Sequence, residues 1–168
     1  LRSPHAHAKF SIRDLDRVRA MKGVRLVLTG ADVAHLAPLP TPGVIPEPSC
    51  QIDVPAYPIL ARDEVKHVGD AIAFVVADTL AQAKDAAEAV AIDWEELPHI
   101  VGAVAALDAK APRVWSDRSN VSFEVAVGDA AATKAAFASA ERVVETTIVI
   151  QRLVTNYMDT RGVVAEFD

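Results

Sequence analysis

Two histidines near the start of the chain are the strongest candidates for chemistry. His5 and His7 stand two residues apart, beside a segment over 6–12 whose alternating apolar and polar residues predict a β-strand. On a strand both imidazoles would face the same side and could chelate a metal ion. A metal site needs further ligands, and no spacing in the sequence supplies them. We therefore expect a structural pair that hydrogen-bonds the end of the strand.

The single cysteine and the acidic residues are weaker candidates for catalysis. Cys50 lies in a proline-rich stretch, and the nine residues before it include no basic residue that would stabilise a thiolate. Some carboxylates are close enough in sequence for acid–base work, but they lie at the ends of predicted elements, where charges are usually solvated. They are Asp93, Glu95, Glu96, Glu141 and Glu145.

Four further residues have structural interpretations. We expect Arg13 and Arg17 to lie on a solvated face, although Arg13 also fits the end of the first strand. Trp94 and Trp115 are expected to anchor a core or an interface. Composition, spacing and periodicity alone thus predict no self-contained active site.

Composition and glycine spacing exclude several classes of function. The 168 residues are 51% hydrophobic and carry a net charge of -6, which is globular composition and disfavours a nucleic-acid partner. No two of the seven glycines are closer than seven residues, so neither common phosphate-binding glycine motif can be written. One cysteine excludes a disulfide framework and predicts a reducing, cytoplasmic setting.

The ends of the chain and its apolar runs carry expectations of their own. No apolar run approaches the roughly 20 residues of a membrane span, and the opening residues are too polar for a signal peptide. The chain opens without methionine, so we expect it to begin inside a longer gene product.

The order of predicted elements favours an α+β fold over a doubly wound parallel sheet. A short helix is predicted after the first strand; it runs through Met21 and has Gly23 at its C′ position. A second short helix is predicted over 31–36, capped by Thr29. Seven of the ten prolines lie in 38–58, which predicts a long surface loop. Further predicted strands span 24–28, 65–68, 71–77, 90–94, 121–127, 142–153 and 162–167.

Two later helices have clear start signals. Thr79 and Gln82 match a capping box, in which each side chain satisfies a backbone donor of the other. The apolar residues Leu80, Ala83, Ala87 and Val90 recur at helical spacing along it. Asp129 is predicted to cap a helix over 130–140.

Several stretches, in order along the chain, carry a family resemblance. They are Arg2-Ser3-Pro4-His5-Ala6-His7-Ala8, Gly23-Val24, Leu28-Thr29-Gly30-Ala31-Asp32-Val33, Leu60-Ala61-Arg62-Asp63-Glu64-Val65-Lys66-His67-Val68-Gly69, Ala73-Phe74-Val75-Val76-Ala77-Asp78-Thr79, Ala83-Lys84-Asp85-Ala86-Ala87, Asp93-Trp94-Glu95-Glu96-Leu97-Pro98 and 151–165. Together they resemble the large, molybdenum-binding subunit of the xanthine dehydrogenase, aldehyde oxidase and carbon monoxide dehydrogenase family. The resemblance implies an α/β hammerhead domain over 1–110, without its first strands, and the beginning of a molybdopterin-binding domain over 120–168.

The same resemblance implies an activity and a set of cofactors for the parent enzyme. Such an enzyme oxidises carbon monoxide or hydroxylates aldehydes, purines or related heterocycles, with water as the oxygen source. It would use molybdopterin, in bacteria commonly as the cytosine dinucleotide, with [2Fe-2S] clusters and FAD on other domains or subunits. The implied partners are the remainder of the large subunit, an iron–sulfur small subunit and an FAD medium subunit.

The resemblance transfers little to individual residues. Gln151 stands where many members have a glutamine near the molybdenum oxo group, eight residues before Asp159. The alternative is that Gln151 only ends an edge strand. Met158-Asp159-Thr160-Arg161 and Val68-Gly69-Asp70-Ala71 depart from the family's usual motifs. The glycine-rich pterin loops and the catalytic glutamate have no counterpart before Asp168, so no catalytic residue or metal ligand is assigned and no cofactor is expected on this chain alone.

Three hypotheses for the role of the chain follow. The first is a structural, subunit-packing part of a molybdenum hydroxylase large subunit, inactive by itself and prone to self-association through unpaired apolar strand edges. The second is a non-catalytic hammerhead module that serves as a binding domain. The third is a small metalloprotein that uses His5 and His7.

Overall fold

The computed structural model describes residues 1–40, 52–150, 158 and 162–166. The chain divides into two compact units, Leu1–Val127 and Gly128–Asp168. In chain order the elements are β1 (Ala8–Arg13), α1 (Leu15–Arg19), β2 (Val24–Thr29), β3 (Glu64–Val65), β4 (Ala73–Ala77), α2 (Leu80–Glu88), β5 (Ala91–Glu96), α3 (Ala103–Ala106) and α4 (Ala130–Ser139).

The first sheet of the larger unit has β1 at its centre. Its strand order is β3-β1-β5, and both pairs are antiparallel. Phe10 of β1 lies opposite Trp94 of β5, and their rings are tilted with centroids 5.6 Å apart. Ala8 and Phe10 are buried while Lys9 and Ser11 are exposed, which is the period of two that the sequence predicts.

The second sheet pairs β2 with β4, also antiparallel, and two helices pack on it. Val27 and Val75 are opposite each other on the packed side, where Val27 is buried. On the other side, Leu26 and Phe74 are 44% and 57% exposed. The described residues therefore cover only one of the two faces of this sheet.

Two apolar clusters hold the larger unit together. The first contains the buried residues Ala8, Phe10, Ala61, Val65 and Ile72. The second contains Val18 of α1, Val27 of β2, Ala86 of α2 and Val90, which follows α2. Ile12 and Ile92, which are opposite each other on β1 and β5, pack against both clusters. These two side chains join the two sheets into one body.

The α+β prediction is confirmed, because every described strand pair is antiparallel and helices are mixed among the strands. None of the described helices is long and apolar enough to cross a membrane.

Helix α2 begins where the capping signal predicts. Thr79 has an extended backbone, and its hydroxyl oxygen accepts from the Gln82 amide at 3.2 Å. The reciprocal half of the capping box is different, because Gln82 Oε1 accepts from the Thr79 hydroxyl rather than from its backbone. The predicted apolar stripe is partly wrong: Leu80 is 73% exposed, whereas Ala86 is buried. Leu80 lies in the first turn of α2, where a side chain can extend beyond the edge of the sheet.

Several element boundaries differ from those predicted. β1 begins at Ala8 rather than at residue 6, because the preceding segment is bent. α1 ends at Arg19, with Ala20 as its C-cap, so Gly23 (φ 81°) belongs to a later turn and not to the helix C′ position. Residues 31–36 form turns rather than a helix.

The bounds of three later elements also differ from the predicted ones. β3 is confined to Glu64–Val65 and β4 starts at Ala73. β5 covers Ala91–Glu96, and a short helix, α3, follows at Ala103–Ala106. In the proline-rich stretch, the described residues are irregular apart from a bridge between Leu39 and Tyr57. Residues 41–51 lie outside the described residues.

The smaller unit contains α4, which begins as predicted. The Asp129 side chain accepts from the Ala132 amide at 2.8 Å and caps the helix. The described parts, 142–150 and 162–166, of the strands predicted over 142–153 and 162–167 form no strand, and neither does 121–127 at the end of the larger unit. An alternating sequence favours a strand only where a partner strand supplies the ladder of hydrogen bonds. Residues 151–157 lie outside the described residues.

Candidate functional site

His7 is the most completely bonded of the candidate side chains. Its Nδ1 lies 2.8 Å from the carbonyl oxygen of Pro98, and its Nε2 lies 2.8 Å from Oε1 of Glu64. The side chain is only 10% exposed. The residue stands just before β1, so its ring reaches the neighbouring strand β3 on one side and the end of β5 on the other.

Glu64 receives a second contact, from Lys66 two residues further along. The Lys66 ammonium group donates to Oε1 of Glu64 and also to the Val114 carbonyl oxygen at 3.2 Å. The same ammonium lies 5.4 Å from the centroid of the Trp115 ring, within the range of a cation–π contact.

The electrostatics of this cluster favour an ionised Glu64. Burial alone would raise the pKa of the Glu64 carboxyl, but hydrogen bonds and positive charge from Lys66 and His7 hold that pKa below its ordinary value. His7, Glu64 and Lys66 thus form a compact, mostly buried group of polar side chains, which we call the His7 cluster.

A second set of polar contacts joins the opening residues to the segment around Asp70. The Ser3 amide donates to the Asp70 carbonyl oxygen, and the Gly69 amide donates to the Ser3 carbonyl oxygen, both at 2.8 Å. The buried Asp70 carboxylate accepts from the Lys66 amide at 3.1 Å. Arg2 completes the set by donating to the Gly69 carbonyl oxygen at 2.8 Å.

Gly30 is in close contact with the backbone of residues 61 and 62. A Cβ atom built on Gly30 would lie 2.8 Å from the carbonyl carbon of Ala61 and 2.9 Å from Cα of Arg62. These are backbone atoms, so they cannot move aside as a flexible side chain can. The turn after β2 therefore requires glycine because backbone passes directly over it.

The metal-site hypothesis for His5 and His7 receives no support from their contacts. His5 Nδ1 pairs with Glu96 at 3.3 Å, and its ring lies 4.7 Å from the Trp94 ring. His7 has both ring nitrogens engaged elsewhere. Within residues 1–40, 52–150, 158 and 162–166, no group of three or more His, Cys, Asp or Glu residues could hold a metal ion.

The other candidate residues have structural partners or are exposed. Asp93 pairs with Arg13 of β1 at 2.6 Å, and Arg17 of α1 donates to the Ala89 carbonyl oxygen at 2.9 Å. Arg13 therefore belongs to the strand. Trp94 packs against the first apolar cluster, and Trp115 lies beside Lys66. Glu95, Glu141 and Glu145 are exposed.

The candidates Cys50 and Gln151 lie outside the described residues, as does Asp159, the residue against which the position of Gln151 is counted. Their roles therefore rest on the sequence alone.

Sequence reasoning identified His7 but missed its partners. Glu64, Lys66 and Asp70 are separated from it by about sixty positions, and no local spacing links them. The signal that could have found them is the resemblance itself, because the stretches 2–8 and 60–69 are both among the quoted motifs. These two stretches contact each other in the fold, which gives a physical reason why both belong to the family's motifs.

The described residues do not fit a pterin dinucleotide. A cavity of about 510 Å³ lies between the turn after β2 and residues 56–66. Its single glycine, Gly30, is covered by the backbone of Ala61 and Arg62 and leaves no space for a phosphate to approach. The rest of its lining is mostly apolar, with Arg62, Asp63, Glu64 and Lys66 at one side. We therefore derive no chemical step through that cofactor from these residues.

Comparison with known proteins finds relatives along the whole chain. Residues 1–98 match the family model described as aldehyde oxidase and xanthine dehydrogenase, a/b hammerhead domain. The carbon monoxide dehydrogenase large chain of Afipia carboxidovorans is 33% identical over 181 residues, which cover 100% of this chain and 21% of that protein. The nicotinate dehydrogenase large molybdopterin subunit of Eubacterium barkeri is 30% identical over 168 residues, covering 99% of this chain and 36% of that protein.

A solved structure agrees with these matches. The reconstituted CO dehydrogenase from Oligotropha carboxidovorans is similar with a TM-score of 0.67 and 32% identity, covering 84% of this chain and 18% of that one. The chain thus spans about a fifth of the length of the carbon monoxide dehydrogenase large chain that it resembles.

Proposed function

Because this chain belongs to the aldehyde oxidase and xanthine dehydrogenase a/b hammerhead family, we propose that it is a structural part of a molybdenum hydroxylase large subunit. The parent enzyme would oxidise carbon monoxide or hydroxylate aldehydes, purines or related heterocycles. The role of this part is to hold a rigid surface against the rest of the large subunit. It performs no turnover by itself.

One observation carries this proposal: the family motifs pack on one another. His7 and Asp70 are among the buried polar residues; His7 pairs with Glu64 of a distant motif, and the Asp70 carbonyl oxygen accepts from the amide of Ser3 in the opening motif. Gly30 is covered by backbone of the stretch 60–69. Side chains engaged in this way stabilise the fold, as a structural role requires.

The finer parts of the proposal concern partners, cofactors and location. We place the hammerhead domain at 1–110 and the beginning of a molybdopterin-binding domain at 120–168. The molybdopterin, as the cytosine dinucleotide, would be held by the remainder of the large subunit, and Gln151 would approach the molybdenum oxo group. An iron–sulfur small subunit and an FAD medium subunit would carry the electrons, in the cytoplasm.

Cofactor retention tests the absence of turnover by the chain alone. The 168-residue chain is incubated with molybdenum-loaded molybdopterin cofactor, passed over a gel-filtration column and assayed for molybdenum and for turnover of carbon monoxide, an aldehyde and a purine. We expect neither retained molybdenum nor product. Stoichiometric molybdenum or measurable turnover would overturn the proposal.

A binding experiment tests the structural role. The chain is mixed with a carbon monoxide dehydrogenase large chain from which the matching segment has been deleted, and complex formation is followed by gel filtration. We expect a stable complex with the deleted chain. The intact large chain is the matched control and should not bind, because its own segment already fills the place. Equal binding to both, or to neither, would contradict the proposed role.

A further inference from the structure

The second sheet has an apolar surface that the described residues leave uncovered. Residues directly opposite each other on antiparallel strands share a face, and two such pairs lie on the side away from the helices. They are Leu26 with Val76 and Leu28 with Phe74. Leu26, Phe74 and Val76 are exposed, whereas α1 and α2 pack on the other side of the sheet. We call these four residues the open face.

The sequence of β4 is that of a strand covered on both faces. It reads Ala73-Phe74-Val75-Val76-Ala77, without a polar residue. A strand with one solvated face alternates apolar and polar residues, as β1 does with Lys9 and Ser11 on its exposed side. The open face therefore has the composition of a buried surface, and a contiguous apolar patch of this kind marks an interaction site.

Ion pairs at the margins of the sheet engage the charged groups near the open face. Arg25 Nε donates to Asp78 Oδ1 at 2.6 Å, at the end where β2 begins and β4 ends. Arg19 pairs with Asp32 at 3.7 Å beside a cavity of about 260 Å³ along β2. An apolar centre with a paired charged margin fits an apolar partner surface better than a charged one.

We propose that the open face docks on the rest of the large subunit, through an apolar, uncharged part of that polypeptide. The docking rests on the structural role proposed above and names the surface that performs it. The matched segment is 21% of the carbon monoxide dehydrogenase large chain, so about four fifths of such a subunit lies outside it. Within one subunit that polypeptide has a high effective concentration at the face, whereas a second copy of the chain must be captured from solution.

Binding of a charged variant tests the docking surface. Leu26→Lys combined with Phe74→Lys places two charges on the open face of the 168-residue chain. The affinity of this variant for a carbon monoxide dehydrogenase large chain that lacks the matching segment should fall at least about tenfold, because an unpaired charge is costly at the centre of an interface. Val104→Lys combined with Leu107→Lys is the matched control, since it adds the same charges at exposed apolar positions of α3 and its end. The control variant should bind as the parent does.

Footprinting of the parent chain gives a second measurement that needs no substitution. Hydroxyl radicals oxidise exposed aromatic and aliphatic side chains, so Phe74 should be oxidised in the free chain and protected in the complex. Leu107 is also exposed and should be oxidised equally in both. If urea unfolding shows that the open-face variant does not fold, the footprint of the parent chain decides alone.

The outcomes separate the docking surface from the structural role. If the parent binds and the open-face variant binds as tightly, or Phe74 stays oxidised in the complex, the docking surface is wrong and the structural role stands. If the parent does not bind, both are wrong. A second copy is the occupant instead, and the proposal is overturned, if the open-face variant loses self-association in light scattering but keeps its affinity for the deleted large chain.

Discussion

At the scale of single residues, the structure shows which positions are fixed by what lies over them. Gly30 is the clearest case, because backbone of Ala61 and Arg62 occupies the space of a side chain. We expect Gly30→Ala to destabilise the fold by about 1–3 kcal/mol, the range typical of overpacking in a rigid surrounding. Urea unfolding of the parent and the variant measures the difference.

The matched control for this change is Gly162→Ala. No atom lies within 4 Å of a Cβ built on Gly162, and its backbone is not left-handed. That variant should stay within about 0.5 kcal/mol of the parent. If Gly30→Ala is as harmless as Gly162→Ala, the close approach of Ala61 is not a feature of the folded chain.

Residue-scale reasoning from the sequence singled out His7 but not its partners. The two-residue spacing of His5 and His7 was sufficient to single out the pair and to favour a structural role. It could not show that Glu64 and Lys66 complete the cluster, because those contacts depend on strand pairing between β1 and β3. A local pattern holds no information about which distant segment becomes the neighbouring strand.

At the scale of elements, the helices with side-chain caps are where the sequence was most informative. Thr79→Ala removes the oxygen that accepts from the Gln82 amide, so we expect a loss of about 1 kcal/mol in stability. Thr79→Ser keeps that oxygen and should lie within about 0.5 kcal/mol of the parent. Equal losses in the two variants, measured by thermal or urea unfolding, would show that the methyl group matters and the cap does not.

Strands could be predicted less well than capped helices, for a physical reason. Asp129 and Thr79 accept hydrogen bonds from backbone amides only three residues away, so the start of each helix is determined by residues close in sequence. The segment 121–127 alternates as a strand should, yet in the structure it forms no strand. A strand also needs a partner, and an alternating pattern cannot name one.

At the scale of the whole molecule, the distribution of apolar surface separates the two units. In the larger unit, Ile12 and Ile92 connect two buried clusters. In the smaller unit no described residue is buried, and its apolar residues are largely exposed. The larger unit can thus bury a core of its own, whereas the smaller one leaves surface that favours association.

Self-association of the chain is therefore expected, chiefly through 143–150. Ile148 and Ile150 are 78% and 90% exposed, and the segment is rich in the β-branched residues that favour strands. Light scattering coupled to size exclusion should show a mass that rises with concentration. Ile148→Lys combined with Ile150→Lys should return the chain to a monomer, because charged side chains oppose strand pairing.

A control must separate lost apolar contact from added charge. Ala131→Lys combined with Ser139→Lys makes the same change in net charge on α4, where both residues are exposed. That variant should associate as the parent does. A parent chain that stays monomeric at high concentration would contradict the expectation, since it would mean that 143–150 finds a partner within its own chain. Equal loss of association in both variants would assign the effect to net charge rather than to the exposed apolar segment, because only one variant removes the isoleucines.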